Sequence, residues 1–87
     1  MTASEFKEWF KDQEYTLVGW HVEVDEKSMG AFTVGCYYDD SDGYFKVYKV
    51  GERNNLRIRL KTKDEHEAYD KLKSLVEYIQ CGCRGYI

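Results

Sequence analysis

The stretch at residues 31–50, AFTVGCYYDDSDGYFKVYKV, constrains this chain more than any other, because its alternation fits two strands joined by an acidic turn. Phe32, Val34, Cys36 and Tyr38 fall on one side at period two, while Ala31, Thr33, Gly35 and Tyr37 fall on the other, the pattern of a strand with one buried face. Asp39, Asp40, Ser41, Asp42 and Gly43 then gather turn formers, with Asp42-Gly43 able to reach positive φ at little cost. From Tyr44 to Val50 the aromatic and β-branched run resumes. The spacing predicts a hairpin with a loop of about five residues.

Whatever surrounds this hairpin has to be compact. The 87 residues predict one domain spanning 1–87, and a chain of that size buries only about 60–65% of the surface its unfolded form exposes. Eight tyrosines, four phenylalanines and two tryptophans offset the small core with large areas per ring and leave rings over for a surface. A formal charge of −3 lacks the basic balance of a non-specific nucleic-acid binder. No apolar run approaches the roughly 20 residues of a membrane span. The opening MTASEFKEWF has no basic-then-apolar order, so a soluble cytoplasmic protein is expected. Three cysteines, with Cys81 and Cys83 one residue apart, do not make a secreted disulfide framework.

Along the chain, Thr2 and Glu5 have the spacing of a capping box, and Phe6, Trp9 and Phe10 recur at three and four residues, which predicts a short helix with one aromatic stripe. From Tyr15 the period changes to two. Val18, Trp20, Val22 and Val24 alternate with Gly19, His21, Glu23 and Asp25, predicting a first strand of about ten residues with a polar odd face. Residues 25–30 form a connection to the hairpin. After the turn formers at 51–55, Leu56, Ile58 and Leu60 alternate with Arg57, Arg59 and Lys61, predicting a fourth strand with a basic outer face. Thr62 and Glu65 have the spacing of a second capping box, Ala68, Leu72, Leu75, Val76 and Ile79 give a helical stripe, and Gly82 is placed to stop that helix. The expected fold is α+β in the order α-β-β-β-β-α. Short connections predict a four-stranded antiparallel meander, with the N- and C-terminal helices on one face.

No reactive constellation stands out. The turn matches an EF-hand loop at Asp40, Asp42 and Gly43, but the first and twelfth positions would be Tyr38 and Lys49, so no metal site is expected. A single Cys81-Gly82-Cys83 lacks the second pair of a structural zinc site and is read as free thiols. His21 on the open strand face and His66 at the start of the second helix are set to lie on opposite sides of the sheet. No catalytic residue, cofactor or metal is therefore expected, and the reading is a non-enzyme. Tyr37, Tyr44, Lys46, Tyr48, Arg57, Arg59 and Lys61 would pave the open face. That mixture suits a protein-binding or solvated face, and as an alternative a platform on which a single nucleic-acid strand stacks on Tyr48 between Arg57 and Arg59. Docking of the face on a second copy is a further possibility.

Where YDDSDGYFKVY at residues 38–48 is followed by DEHEAYDKL at residues 64–72, the chain resembles small bacterial immunity proteins encoded beside secreted polymorphic toxins. The resemblance runs over residues 20–79: a tryptophan strand, an acidic-Gly-aromatic hairpin and an E-x-x-A-Y helix. It implies a stoichiometric inhibitor that binds one cognate toxin domain and occludes its active or essential surface without turnover. On that reading Asp39, Asp40 and Asp42, flanked by Tyr37 and Tyr44, would mimic phosphates in a basic toxin groove and speed association. Glu23 and Asp25 are second-rank partner-binding candidates.

Overall fold

The structure, a computed structural model, describes residues 1–13, 19–25, 32–51, 53 and 55–82, the last two by backbone only. Helix α1 (Ala3–Lys11) is followed by strands β1 (His21–Val24), β2 (Thr33–Asp39), β3 (Tyr44–Val50) and β4 (Leu56–Thr62), and by helix α2 (Glu65–Gly82). The expected α+β order is present. The sheet order is β1-β2-β3-β4.

Capping sets where the helices begin. Thr2 accepts from the Glu5 amide and the Glu5 carboxylate accepts from the Thr2 amide at 2.7 Å, so both halves of the predicted box form and open α1. For α2 the cap moves two residues. Asp64 accepts from His66 N at 2.9 Å through its side chain and from Ala68 N at 3.1 Å through its carbonyl, while Thr62 ends β4 and accepts from Asp64 N at 3.1 Å. Asp64 thus does the work expected of Thr62, because β4 holds that threonine in extended backbone. Helix α2 is described to Gly82, and the residues that would test Gly82 as its stop lie outside the described residues.

Both helices lie on one side of the sheet. Phe6 of α1 and Ala68, Tyr69, Leu72, Leu75, Val76 and Ile79 of α2 pack with Val34, Cys36 and Val47, and Trp9, Phe10, Trp20, Val22, Val24, Phe45 and Leu60 close around them. Asp25 fastens the end of β1 to both helices, accepting from the Tyr69 hydroxyl at 2.7 Å and pairing with Lys7 at 3.5 Å.

The sheet departs from the antiparallel meander at its first pair. β1 runs parallel to β2, with His21 level with Thr33 and Val24 level with Cys36, whereas β2·β3 and β3·β4 are antiparallel. Asp25 at φ 67° and Phe32 at φ 57° take left-handed backbone just after β1 and just before β2. Alternating burial is the same for either strand sense, so the pattern alone could not tell them apart. β1 is also shorter than expected. Gly19, at φ 78°, breaks extended backbone before His21, and the predicted strand residues 15–18 lie outside the described residues. Phe32, expected inside the hairpin strand, sits before it at a positive φ with its ring 5.4 Å from Trp20.

A bulge corrects the expected basic face of β4. Lys61 pairs with Lys46 and Leu60 with Val47, but Tyr48 pairs with Ile58 and Lys49 with Arg57, so Arg59 is left without a partner in the register. The extra residue reverses the alternation. Ile58 and Leu56 therefore share the helix-free face with Lys61, and Arg57 turns to the helix side.

On the helix-free face one row crosses all four strands: Glu23, Gly35, Tyr48 and Ile58. Tyr48 lies flat over Gly35 and donates its hydroxyl to Glu23 Oε2 on the far strand. A β-carbon at Gly35 would meet the Tyr48 Cζ at 2.7 Å and Cε2 at 2.9 Å. The ring is fully buried and Tyr37 stands edge-on to it at 5.9 Å. Gly35→Ala should lower unfolding free energy by about 1–3 kcal/mol in urea denaturation. In a Tyr48→Leu background the same change should cost little or nothing; equal costs in both would place the penalty in the backbone.

Candidate functional site

The tip between β2 and β3 brings together most of the partner-binding residues that the sequence suggests. Asp39 and Tyr44 face each other as the last pair of the ladder, and Gly43, at φ 74°, donates its amide to the Asp39 carbonyl at 2.8 Å to close the turn. Inside it, Asp39 Oδ1 accepts from both the Ser41 amide, at 3.0 Å, and the Ser41 hydroxyl, at 2.6 Å. Asp42 Oδ1 accepts from the Tyr44 amide at 3.1 Å. The turn is held by its own side chains.

Lys46 locks that arrangement. Its ammonium stands 2.8 Å from Asp39 Oδ2 and 2.9 Å from Asp42 Oδ2, and its side chain is only 16% exposed. Lys61 approaches Asp42 from the neighbouring strand at 3.6 Å. The Lys46 contact, then the two Ser41 hydrogen bonds, hold the Asp39 carboxyl well below the usual carboxylate range, and Lys46 likewise lowers Asp42. Asp39 first and Asp42 second push the Lys46 ammonium upward. All three stay charged through the neutral range. Two carboxylates of the acidic loop are thus spoken for by lysines, and the third, Asp40, is exposed.

Aromatic rings frame the tip. Tyr44 is half-buried under the Lys61 and Lys63 ammoniums, 4.6 and 5.4 Å from its ring centre. Tyr38, placed by its alternation among the inward residues, is 50% exposed, because β2 runs past the ground the helices cover; its ring leans on Phe45 at 5.0 Å. Sequence reasoning placed Tyr38 inward and Lys46 among the open-face residues, and read neither as part of the tip. Lys46 had one available signal, its spacing four residues after Asp42 across a tight turn.

The second-rank candidates lie elsewhere. Glu23 is on the helix-free face, half-buried and committed to Tyr48; Asp25 is turned to the helix side by its positive φ and committed to Tyr69 and Lys7. The shared polar face expected for Glu23 and Asp25 does not form. Tyr37 links the tip to this region through its contact with Tyr48.

The structure also places the groups considered for chemistry. His21 is exposed on the helix-free side and His66 is exposed on α2, across the sheet. Cys36 is buried in the core, and burial pushes its thiol up to about 12, so it carries no thiolate at neutral pH. Tyr69, also buried, is raised by burial and then by its bond to Asp25. Among the described residues no group of three or more His, Cys, Asp or Glu is arranged to hold a metal ion. The Cys81 side chain and Cys83 lie outside the described residues. Tyr48, the ring named for base stacking, has no accessible surface and cannot receive a base. No described helix is long and apolar enough to cross a membrane.

No protein-family model, curated protein or solved structure matches this chain. The geometry of the chain itself has to carry the functional reading.

The ion triad sets a testable pH response. Because the folded Asp39 carboxyl is depressed, its stabilising contribution is fully present above the ordinary value of 3.8 and is lost as pH falls below it. Lys46, being raised, contributes fully below 10.5 and loses its contribution only as pH climbs past that value. The protection factors of the Ser41 and Tyr44 amides, which divide out the intrinsic rise of exchange with pH, should therefore stay flat between these limits. Asp39→Asn should be less protected at neutral pH and converge with the parent in strong acid; a gap that persists there would contradict the assignment.

Proposed function

We propose that this protein is a non-catalytic binding protein of the bacterial cytoplasm that neutralises a cognate toxin by seating its β2–β3 tip on the toxin's active or essential surface. The observation that supports this reading is a turn already fixed before any partner arrives. Ordering a flexible side chain at an interface costs about 0.5–1.5 kcal/mol. Lys46, Ser41 and the Tyr44 amide have already ordered Asp39 and Asp42, so little of that cost falls on association. Tyr38, half-exposed, and Asp40, exposed, are presented on this fixed frame. A rigid amphipathic ring beside a polar rim is the composition of an interface anchor.

The internal pairing changes the mechanism from phosphate mimicry to contact. With Lys46 and Lys61 set against Asp39 and Asp42, the tip projects little net field, so steering over a Debye length is weak. Affinity then resides in the dissociation rate. The toxin domain encoded beside this chain should form a 1:1 complex with it on size exclusion and lose its growth inhibition when co-expressed. Tyr38→Ala should weaken the complex by about tenfold or more, mainly through faster dissociation. Absence of a complex, or a Tyr38→Ala complex as tight as the parent's, would remove the tip from the mechanism.

A further inference from the structure

At the opposite end of the sheet from the tip, Lys49, Gly51, Asn55, Arg57 and Arg59 line a concavity of about 300 Å³. Lys49 and Arg57 are a directly paired cross-strand couple on the helix side, two like charges facing each other in the register. Such a pair is destabilising unless something of opposite sign answers it. The sheet contains a control for this point. Lys46 and Lys61 are an equally direct pair on the other face, and Asp42 answers both. Among the described residues, which leave out Glu52 of the adjoining turn, no carboxylate stands within ion-pair distance of Lys49, Arg57 or Arg59.

We propose that this pocket binds the phosphate group of a nucleotide-sized ligand, held between Arg57, Arg59 and Lys49. Three cationic residues lining one concavity suit a dianion better than a single carboxylate, and guanidinium forks match phosphate oxygens in pairs. The backbone around Gly51 is open, with nothing within 4 Å of where a β-carbon would stand, so an anion can approach the main chain there. Beside the cations stands a ring. Lys49 Nζ lies 5.9 Å from Tyr78, a side chain 61% exposed on α2, and 5.4 Å from Trp20. Tyr78 offers a planar face on which a nucleobase attached to the phosphate would stack.

Titration of the 15N-labelled full chain with inorganic phosphate, ribose 5-phosphate and 5′-AMP at constant ionic strength tests this site. AMP should give saturable shifts at Gly51, Asn55 and Arg57, and Arg57→Gln and Arg59→Gln should each weaken it at least tenfold, whereas Lys61→Gln on the same strand should not. AMP should bind tighter than the other two, and Tyr78→Ala should cancel that advantage; equal binding of all three by the parent overturns the nucleotide assignment. A second readout is independent of affinity. In phosphate-free buffer Arg57→Gln should melt higher than the parent, because it relieves the Lys49 repulsion, and phosphate should raise the melting temperature of the parent alone. Unsaturable shifts, an equal loss in Lys61→Gln, or an Arg57→Gln that melts lower in both buffers would overturn the site. Much tighter binding of a single-stranded oligonucleotide, with a steep salt dependence, would overturn it in favour of an extended nucleic-acid groove.

Discussion

The helix-free face of this protein depends on one side chain laid across its neighbours. Tyr48 starts on β3, passes over β2 at a residue with no side chain, and ends in a hydrogen bond to β1. A parallel edge strand of four residues has few ladder bonds of its own. Its attachment is completed by Glu23 on one face and by Val22, Val24 and Asp25 on the other. Gly35 is the permissive partner in this arrangement. With any β-carbon there, the ring would have to lift, and both the hydroxyl bond and the contact with Tyr37 would change with it. A face that periodicity alone describes as open and polar thus hides a buried ring at its centre.

The same sheet shows how a charged residue becomes a structural one. Lys46 lies on the helix-free face, where a lysine is ordinarily a solvated end, yet its ammonium is nearly enclosed between two carboxylates from a turn only a few residues away. Two physical consequences follow. The turn gains a fixed shape, which favours specific contact, and it loses net charge, which disfavours long-range attraction. Tyr38 is the large side chain of the tip left standing outside the helical cover.

How much of this was legible in the chain follows from the range of each interaction. The helical stripes, the first capping box, the hairpin and the buried Val34, Cys36 and Val47 depend on local spacing, and spacing is what a sequence displays. The sense of β1 was not legible, because parallel and antiparallel pairing bury the same alternate residues. Arg59 defeats period-two counting for a different reason: an inserted residue reverses the faces of everything beyond it, so Arg57 and Lys61, which look like one stripe, stand on opposite sides. Tyr38 was misjudged because alternation fixes the side of a sheet, not how far the covering layer extends.

Register also decides where charge remains uncompensated, and this gives the two ends of the sheet different characters. Two lysines meet across β3 and β4 near the tip, and the adjoining turn supplies a carboxylate to them. Near the other turn a lysine meets an arginine across the same two strands, and the bulge that turns Arg57 to the helix side leaves Arg59 lining the same concavity. A fold under selection for stability alone gains nothing from the second arrangement, since a single neutral substitution at Arg57 would relieve it. The register of β4 against β3 thus decides which charges meet at each end of the sheet: Lys46 with Lys61 beside Asp42, and Lys49 with Arg57 at the concavity.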